Sequence, residues 1–267
     1  MDDARQPTRV PMRLLLALFA VVCAQPAAAD PVAVRFTEGV THGFLALRTP
    51  ERGFVASGDL LQVVQRGGAV ESRMRFRFKD GSVLDETVVF SQERVFTLLS
   101  YRLLQQGPVF GEDTEISMER KTGTYRVKTS ARDGGKEAVL DGTLTLPPDT
   151  YNGMVLNVAK NLRKGATETI HIVAFTPTAR LIQLEVSPVG EHQVLVGDLA
   201  KSATHYIFKP KPGAWLTALA TLLGRMPPDS HAWIVTDEVP AFVRYVGPLH
   251  SMGPVWHLEL TSPRWPD

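Results

Sequence analysis

Seven histidines and one cysteine in 267 residues set the outer limit of the chemistry open to this chain. Cys23 is the only thiol, so neither a disulfide within the chain nor a multi-cysteine metal site can form. Glu112, Asp113 and Glu115 cluster after Gly111. A glycosidase would need one such carboxylate to face a second across a cleft. No partner is evident in the sequence, and a solvated loop is the favoured reading. His231 follows Asp229 by two residues and precedes Trp233 by two. On a strand, His231, Trp233 and Val235 share one face, and a structural histidine is preferred to a catalytic one. His171 and His205 have similar settings, and His250 and His257 lack metal-ligand spacing. Asp237 and Glu238, before Pro240, suit a turn. The chain has no G-x-S-x-G, H-E-x-x-H, Walker A, dinucleotide-binding glycine pattern or calcium loop. A serine triad can be drawn only from dispersed residues. No catalytic residue, metal ligand or cofactor is therefore assigned. A non-enzyme is the favoured reading, with a hydrolase of unrecognised site kept as an alternative.

Apolar side chains offer more. Trp215, Trp233, Trp256 and Trp265 all fall in the last quarter, near Phe242 and Tyr245. Such a group either lines an apolar pocket or fills a core. Within residues 149–162, Tyr151, Met154, Val155, Val158, Ala159 and Leu162 recur at spacings of three and four, the period of an amphipathic helix. Pro147 and Pro148 precede this segment, Asp149 or Thr150 can cap it, and Asn161 with Lys164–Gly165 marks its end. The candidate ligand-binding residues are Val155, Val158, Leu162, Trp215 and Trp233.

The elements that must position these residues read almost entirely as strands. Met74, Phe76 and Phe78 alternate with Arg73, Arg75, Arg77 and Lys79, and Asp80–Gly81 supplies a hairpin turn. The arginine face is expected on solvent. Residues 95–106 fit helix and strand in part, with the strand favoured. A second hairpin turns at Lys121–Gly123, and Asp133–Gly135 is the next turn. After the helix, strands are expected at 169–175, 180–187, 192–196, 204–209, 231–236, 241–245 and 255–260, with Pro188–Gly190 as a turn. Residues 214–223 read as a second short helix or an apolar segment. Successive short connections make a meander, in which strands neighbour each other in sequence order.

The first 29 residues read as a signal peptide. Arg5, Arg9 and Arg13 precede the apolar run from Leu14 to Cys23, and Ala27 and Ala29 occupy the small-residue positions of a cleavage site. Met12 followed by Arg13 would make a tidier start. A retained anchor and a lipid attached at Cys23 are the rivals, the latter disfavoured by the bulk of Val22. Residues 30–267 are then one exported β domain, periplasmic or extracellular, with no transmembrane segment in the mature chain. With 29 basic and 28 acidic residues, the chain gives no electrostatic reason to expect a nucleic-acid partner.

Residues 233–237 (WIVTD) and Pro240–Arg244, after a series of strands, resemble the C-terminal signature of a family of exported bacterial proteins of unknown function. The helix from Gly153 to Leu162 after a meander is also similar. These proteins resemble in architecture the LolA/LolB type of periplasmic lipoprotein carrier. The resemblance spans roughly residues 144–260 and implies an open or half β-barrel with helices in its mouth. The expected fold is mainly β: a strongly curled antiparallel sheet or half-open β-barrel, with one or two helices against its concave face. The expected function is non-enzymatic binding of a lipid or other apolar or amphipathic ligand. The alternative is a structural domain that docks an envelope protein.

Overall fold

The computed structural model describes residues 30–131, 135–176, 178–196, 199–211, 228–236, 239–250 and 253–261. Residues 1–29, the stretch 214–223 with Trp215, Trp265, and the pair Asp237–Glu238 lie outside the described residues. No helix among the described residues is long and apolar enough to cross a membrane.

The alternation read from the sequence produces strands β1 (Thr41–Arg48), β2 (Phe54–Val64), β3 (Val70–Phe78), β4 (Val83–Gln92), β5 (Phe96–Gln106), β6 (Asp113–Glu119), β7 (Thr124–Ser130) and β8 (Glu137–Thr143). The helix α1 (Val155–Asn161) follows. Then come β9 (Glu168–Thr176), β10 (Thr178–Val196), β11 (Leu199–Pro210), β12 (Ser230–Val235), β13 (Ala241–Pro248) and β14 (Val255–Thr261). All pairings are antiparallel and form one sheet, in the order β8-β7-β6-β5-β4-β3-β2-β1-β14-β13-β12-β11-β10-β9. The two meanders are joined where β1 pairs with β14.

This corrects the expected fold. The strongly curled sheet or β-barrel-like closure does not form. Among the described residues the sheet is open, and β8 and β9 are its two ends with no ladder between them. A meander asks only that sequence neighbours pair, so it specifies the order of strands without requiring the first and last to meet. Side chains reach from β9 across to β5 and β7. Phe175 of β9 stacks on Tyr101 of β5 at 6.5 Å and meets Tyr125 of β7 edge-on at 6.0 Å.

The helix is shorter than expected. It starts at Val155, because Gly153 has φ +68°, a left-handed conformation that cannot continue a right-handed helix. Asp149 and Thr150 do not cap it. The Thr150 hydroxyl donates to the Pro147 carbonyl, and Asp149 is bound by His171. Of the one or two expected helices, the described residues contain the first, packed on β12 and β13, and residues 214–223 lie outside them.

Residues 146–162 are the hub of the fold. The Arg120 guanidinium donates to the Leu146, Pro147 and Pro148 carbonyls. Tyr151 accepts the Val32 amide at 2.8 Å on its hydroxyl. Residues 32–38 then strap the helix. The Arg35 and Phe36 amides both donate to the Asn161 carboxamide oxygen, and the Arg35 guanidinium reaches the Leu162 carbonyl. The turn expected at Pro188–Gly190 is instead a bulge inside the 19-residue β10.

Candidate functional site

The rows of side chains across the sheet define the site. Pairing register places Leu60, Met74, Glu86, Leu103, Ile116 and Val127 side by side on successive strands from β2 to β7. All six line a cavity of about 1070 Å³. Ile182 of β10, Phe208 of β11, Phe242 of β13 and Leu258 of β14 line it from the other half of the sheet. The space is at the upper end of what small-molecule sites enclose, and far larger than the voids of an ordinary core.

Helix α1 forms one wall. Val155, Leu156, Asn157 and Lys160 line the cavity, whereas Val158 and Leu162 are buried and do not line it. Trp233 is elsewhere. Its neighbours Ala232 and Ile234 are buried, while Trp233 stacks on His205 at 4.3 Å with the Arg244 guanidinium 5.6 Å above the ring. Of the five candidate ligand-binding residues, the structure puts Val155 at the cavity. Val158 and Leu162 lie behind that wall, Trp233 is in a separate cluster, and Trp215 falls outside the described residues.

Few charges line this apolar space. Lys160 and Glu38 form a largely buried ion pair at 2.5 Å, and the Gln62 carboxamide donates to Glu38 at 3.0 Å. Burial acts to raise the Glu38 carboxyl. The Lys160 charge and hydrogen bond, with Gln62 and Asn157, outweigh it and hold the group below its ordinary value.

Glu86 has no such cation. The Tyr101 hydroxyl donates to its Oε1 at 2.9 Å. Burial pushes its carboxyl up to about 7, only partly offset by that hydrogen bond. Tyr245 also lines the cavity, and burial pushes its phenol up to about 12. His250 is driven down to about 4 by burial, so it is neutral near pH 7. Gly153 is close to Glu86: a Cβ there would meet the Val88 side chain at 3.3 Å and Glu86 Cδ at 3.5 Å. Four amide side chains, Gln62, Gln105, Asn152 and Asn157, also line the cavity, and the buried Gln105 Nε2 has no partner among the described residues.

The groups considered for catalysis are dispersed. Glu112 lines the cavity, Asp113 accepts the Gly107 amide at 2.9 Å, and Glu115 pairs with Arg102 at 2.6 Å. His231 contacts His205 at 3.0 Å, in the Trp233 cluster. Burial, then His231 and His192, lower the His205 imidazole to about 4. His171 donates from Nδ1 to Asp149 Oδ2 at 2.7 Å, and Gln183 donates to its Nε2 at 3.3 Å. That carboxylate–imidazole pair fastens residues 149–151 to β9, alongside the backbone bonds between His171 and both Asp149 and Tyr151. The Thr150 hydroxyl beside it is spent on Pro147. No group of three or more metal-ligating side chains occurs among the described residues.

Sequence reading missed Glu86. Its signal was available: Leu84, Glu86, Val88 and Phe90 alternate on one face, and a carboxylate interrupts an otherwise apolar set. No protein-family model matches this sequence, and no curated protein or solved structure matches it.

Proposed function

We propose that this protein binds an apolar or amphipathic ligand, such as a lipid, without transforming it. The observation that carries the reading is the cavity of about 1070 Å³ between the two halves of the sheet, with α1 as one wall. Its rows of Leu, Ile, Val, Met and Phe favour an apolar occupant through contact area alone. Charged groups at the cavity are engaged with neighbours, Glu38 with Lys160 and Glu86 with Tyr101. The reading of residues 1–29 as an export signal supports binding outside the cytoplasm. N-terminal sequencing of the mature protein is expected to begin at Asp30.

Pyrene, an uncharged apolar fluorophore, tests the cavity directly. Saturable binding is expected for the native chain. Leu103→Trp and Ile116→Trp point bulky rings into the space and are expected to abolish it while each variant keeps a cooperative melt. Unchanged pyrene binding in both folded variants would remove this reading.

A second reading, docking to an envelope protein, is favoured by the end of the β10–β11 hairpin. There Leu195 is 75% and Leu199 65% exposed. With the exposed Val196, which pairs with Leu199, they make one contiguous apolar group, which suits partner contact. Replacing both by serine is expected to leave pyrene binding unchanged and to reduce retention of envelope proteins in cross-linking of intact cells.

A further inference from the structure

We infer that Glu86 receives the polar end of the ligand, and that this end is a hydrogen-bond donor of the aliphatic-amine class, with carboxylate-headed ligands disfavoured. This rests on the cavity being a ligand site.

The argument begins with register. Glu86 is the one ionisable member of the row Leu60–Met74–Glu86–Leu103–Ile116–Val127, and its direct cross-strand neighbours are Met74 and Leu103. A carboxyl flanked by apolar side chains on both adjoining strands loses solvation and gains nothing from packing. Buried carboxylates in native proteins have cationic partners or several donors. Glu86 has the Tyr101 hydroxyl and, among the described residues, no cation. Lys160 is committed to Glu38. One carboxyl oxygen is thus engaged, and the group keeps acceptor capacity on the cavity that it lines.

The complement to that capacity is a donor carrying positive charge. A protonated amine would form a charge-assisted hydrogen bond with the carboxylate in surroundings of low polarity, while its alkyl chain covers the apolar row. A ligand carboxylate would place a second like charge beside Glu86, and Tyr101 already spends its hydroxyl on Glu86. The titratable groups facing Glu86 do not change this balance. The Tyr101 and Tyr245 phenols are both raised above their ordinary value and stay neutral. His250 is neutral, and the Glu38–Lys160 pair cancels itself. His42, beside Asp59, and Glu112 also line the cavity. The Glu86 carboxyl is pushed up to about 7, so amine binding is expected to weaken as it takes up its proton.

The test uses dodecylamine and dodecanoate, equal in chain length and opposite in charge, as competitors of bound pyrene. The native chain is expected to bind the amine at least about tenfold more tightly than the carboxylate at about pH 8, and to lose most of that preference at about pH 5.5. In Glu86→Gln, with folding checked by its melt, the preference is expected to collapse at both pH values. Equal affinity of the native chain for the two amphiphiles overturns the assignment without needing any variant. A preference that persists in Glu86→Gln also overturns it. If pyrene binds and no head-group preference is seen, only the Glu86 assignment falls. If neither pyrene nor either amphiphile binds, the cavity reading falls and takes this one with it.

Discussion

The Asn152 carboxamide donates to the Val173 carbonyl and accepts the Val173 amide, both at 2.8 Å. A side chain thereby takes the place of a strand residue beside β9. It continues the pairing that Asp149–Tyr151 make with His171, where Thr150 forms a parallel bridge. An open sheet needs its ends protected, because a free row of amides and carbonyls is a template for another chain. Here the segment leading into α1 covers part of the β9 end. Asn152→Ala removes both bonds and strands two buried backbone groups, so a loss of roughly 2–5 kcal/mol is expected. Urea denaturation measures it. Asn152→Asp keeps the acceptor and loses the donor, and is expected to fall between native and alanine. A variant as stable as the native chain would show that the edge does not depend on this contact.

Arg120 anchors the other end of the same segment. Its planar fork donates to three successive carbonyls, with distances of 2.7–3.3 Å. Burial lowers its pKa from the ordinary value. Lysine supplies a point charge and cannot bridge carbonyls held at those angles. Arg120→Lys is expected to cost about 1–3 kcal/mol and to raise amide exchange from Asp149 through the start of α1. Exchange confined to β6 and β7 would contradict that role.

Alternation and turn chemistry made much of the sheet legible. Met74, Phe76 and Phe78 face inward as their spacing requires, and Gly81 adopts φ +86° at the Asp-Gly turn. The arginine face carries an ion pair from Arg73 and Arg75 to Asp85. Pro188 misled because proline ordinarily ends a strand. β9 pairs with β10 only as far as Val186, so Pro188 lies where β10 has an open side and its missing amide interrupts no ladder with β9. Asp149 and Thr150 looked like helix caps, but their side chains serve contacts remote or local to the turn before it. Closure of the sheet was illegible for a different reason. Neighbour pairing is written in local patterns, whereas the relation of β8 to β9 depends on contacts more than a strand apart in every direction. Val155 could be placed at the cavity from helical spacing. Glu86 was legible too, as the one carboxylate on the face of β4 that carries Leu84, Val88 and Phe90.

The Glu38–Lys160 pair ties the strap at residues 32–38 to the cavity side of α1. Lys160→Met leaves a buried carboxylate with only the Gln62 carboxamide and Asn157, and a loss of about 3–5 kcal/mol is expected. Glu38 sits below its ordinary value when folded. Its contribution is therefore present above pH 4.5 and lost as pH falls through the folded value. The double variant Glu38→Gln with Lys160→Met is expected to recover part of the loss at pH 7, because no buried charge remains. A double variant less stable than Lys160→Met would show that the pair does not act through burial of charge. Chemical denaturation of the four chains at fixed pH measures the coupling.

Glu86 gives the opposite pH dependence. Its folded value of about 7 lies above the ordinary 4.5, so the folded chain holds this proton more tightly than the unfolded chain does. Folding then takes up a proton between those two values. The Glu86 contribution is largest below pH 4.5, declines as pH rises toward 7 and is level above that. The full shift corresponds to up to about 3 kcal/mol, a ceiling that solvent in the cavity would lower. Glu86→Gln cannot titrate and is expected to be more stable than the native chain at about pH 8, with the difference shrinking steadily toward pH 5. Opposition from Glu38 is the same in both chains, so subtracting the two pH profiles isolates Glu86. A difference profile that is flat from pH 5 to pH 8 would mean that the carboxyl is already solvated or paired.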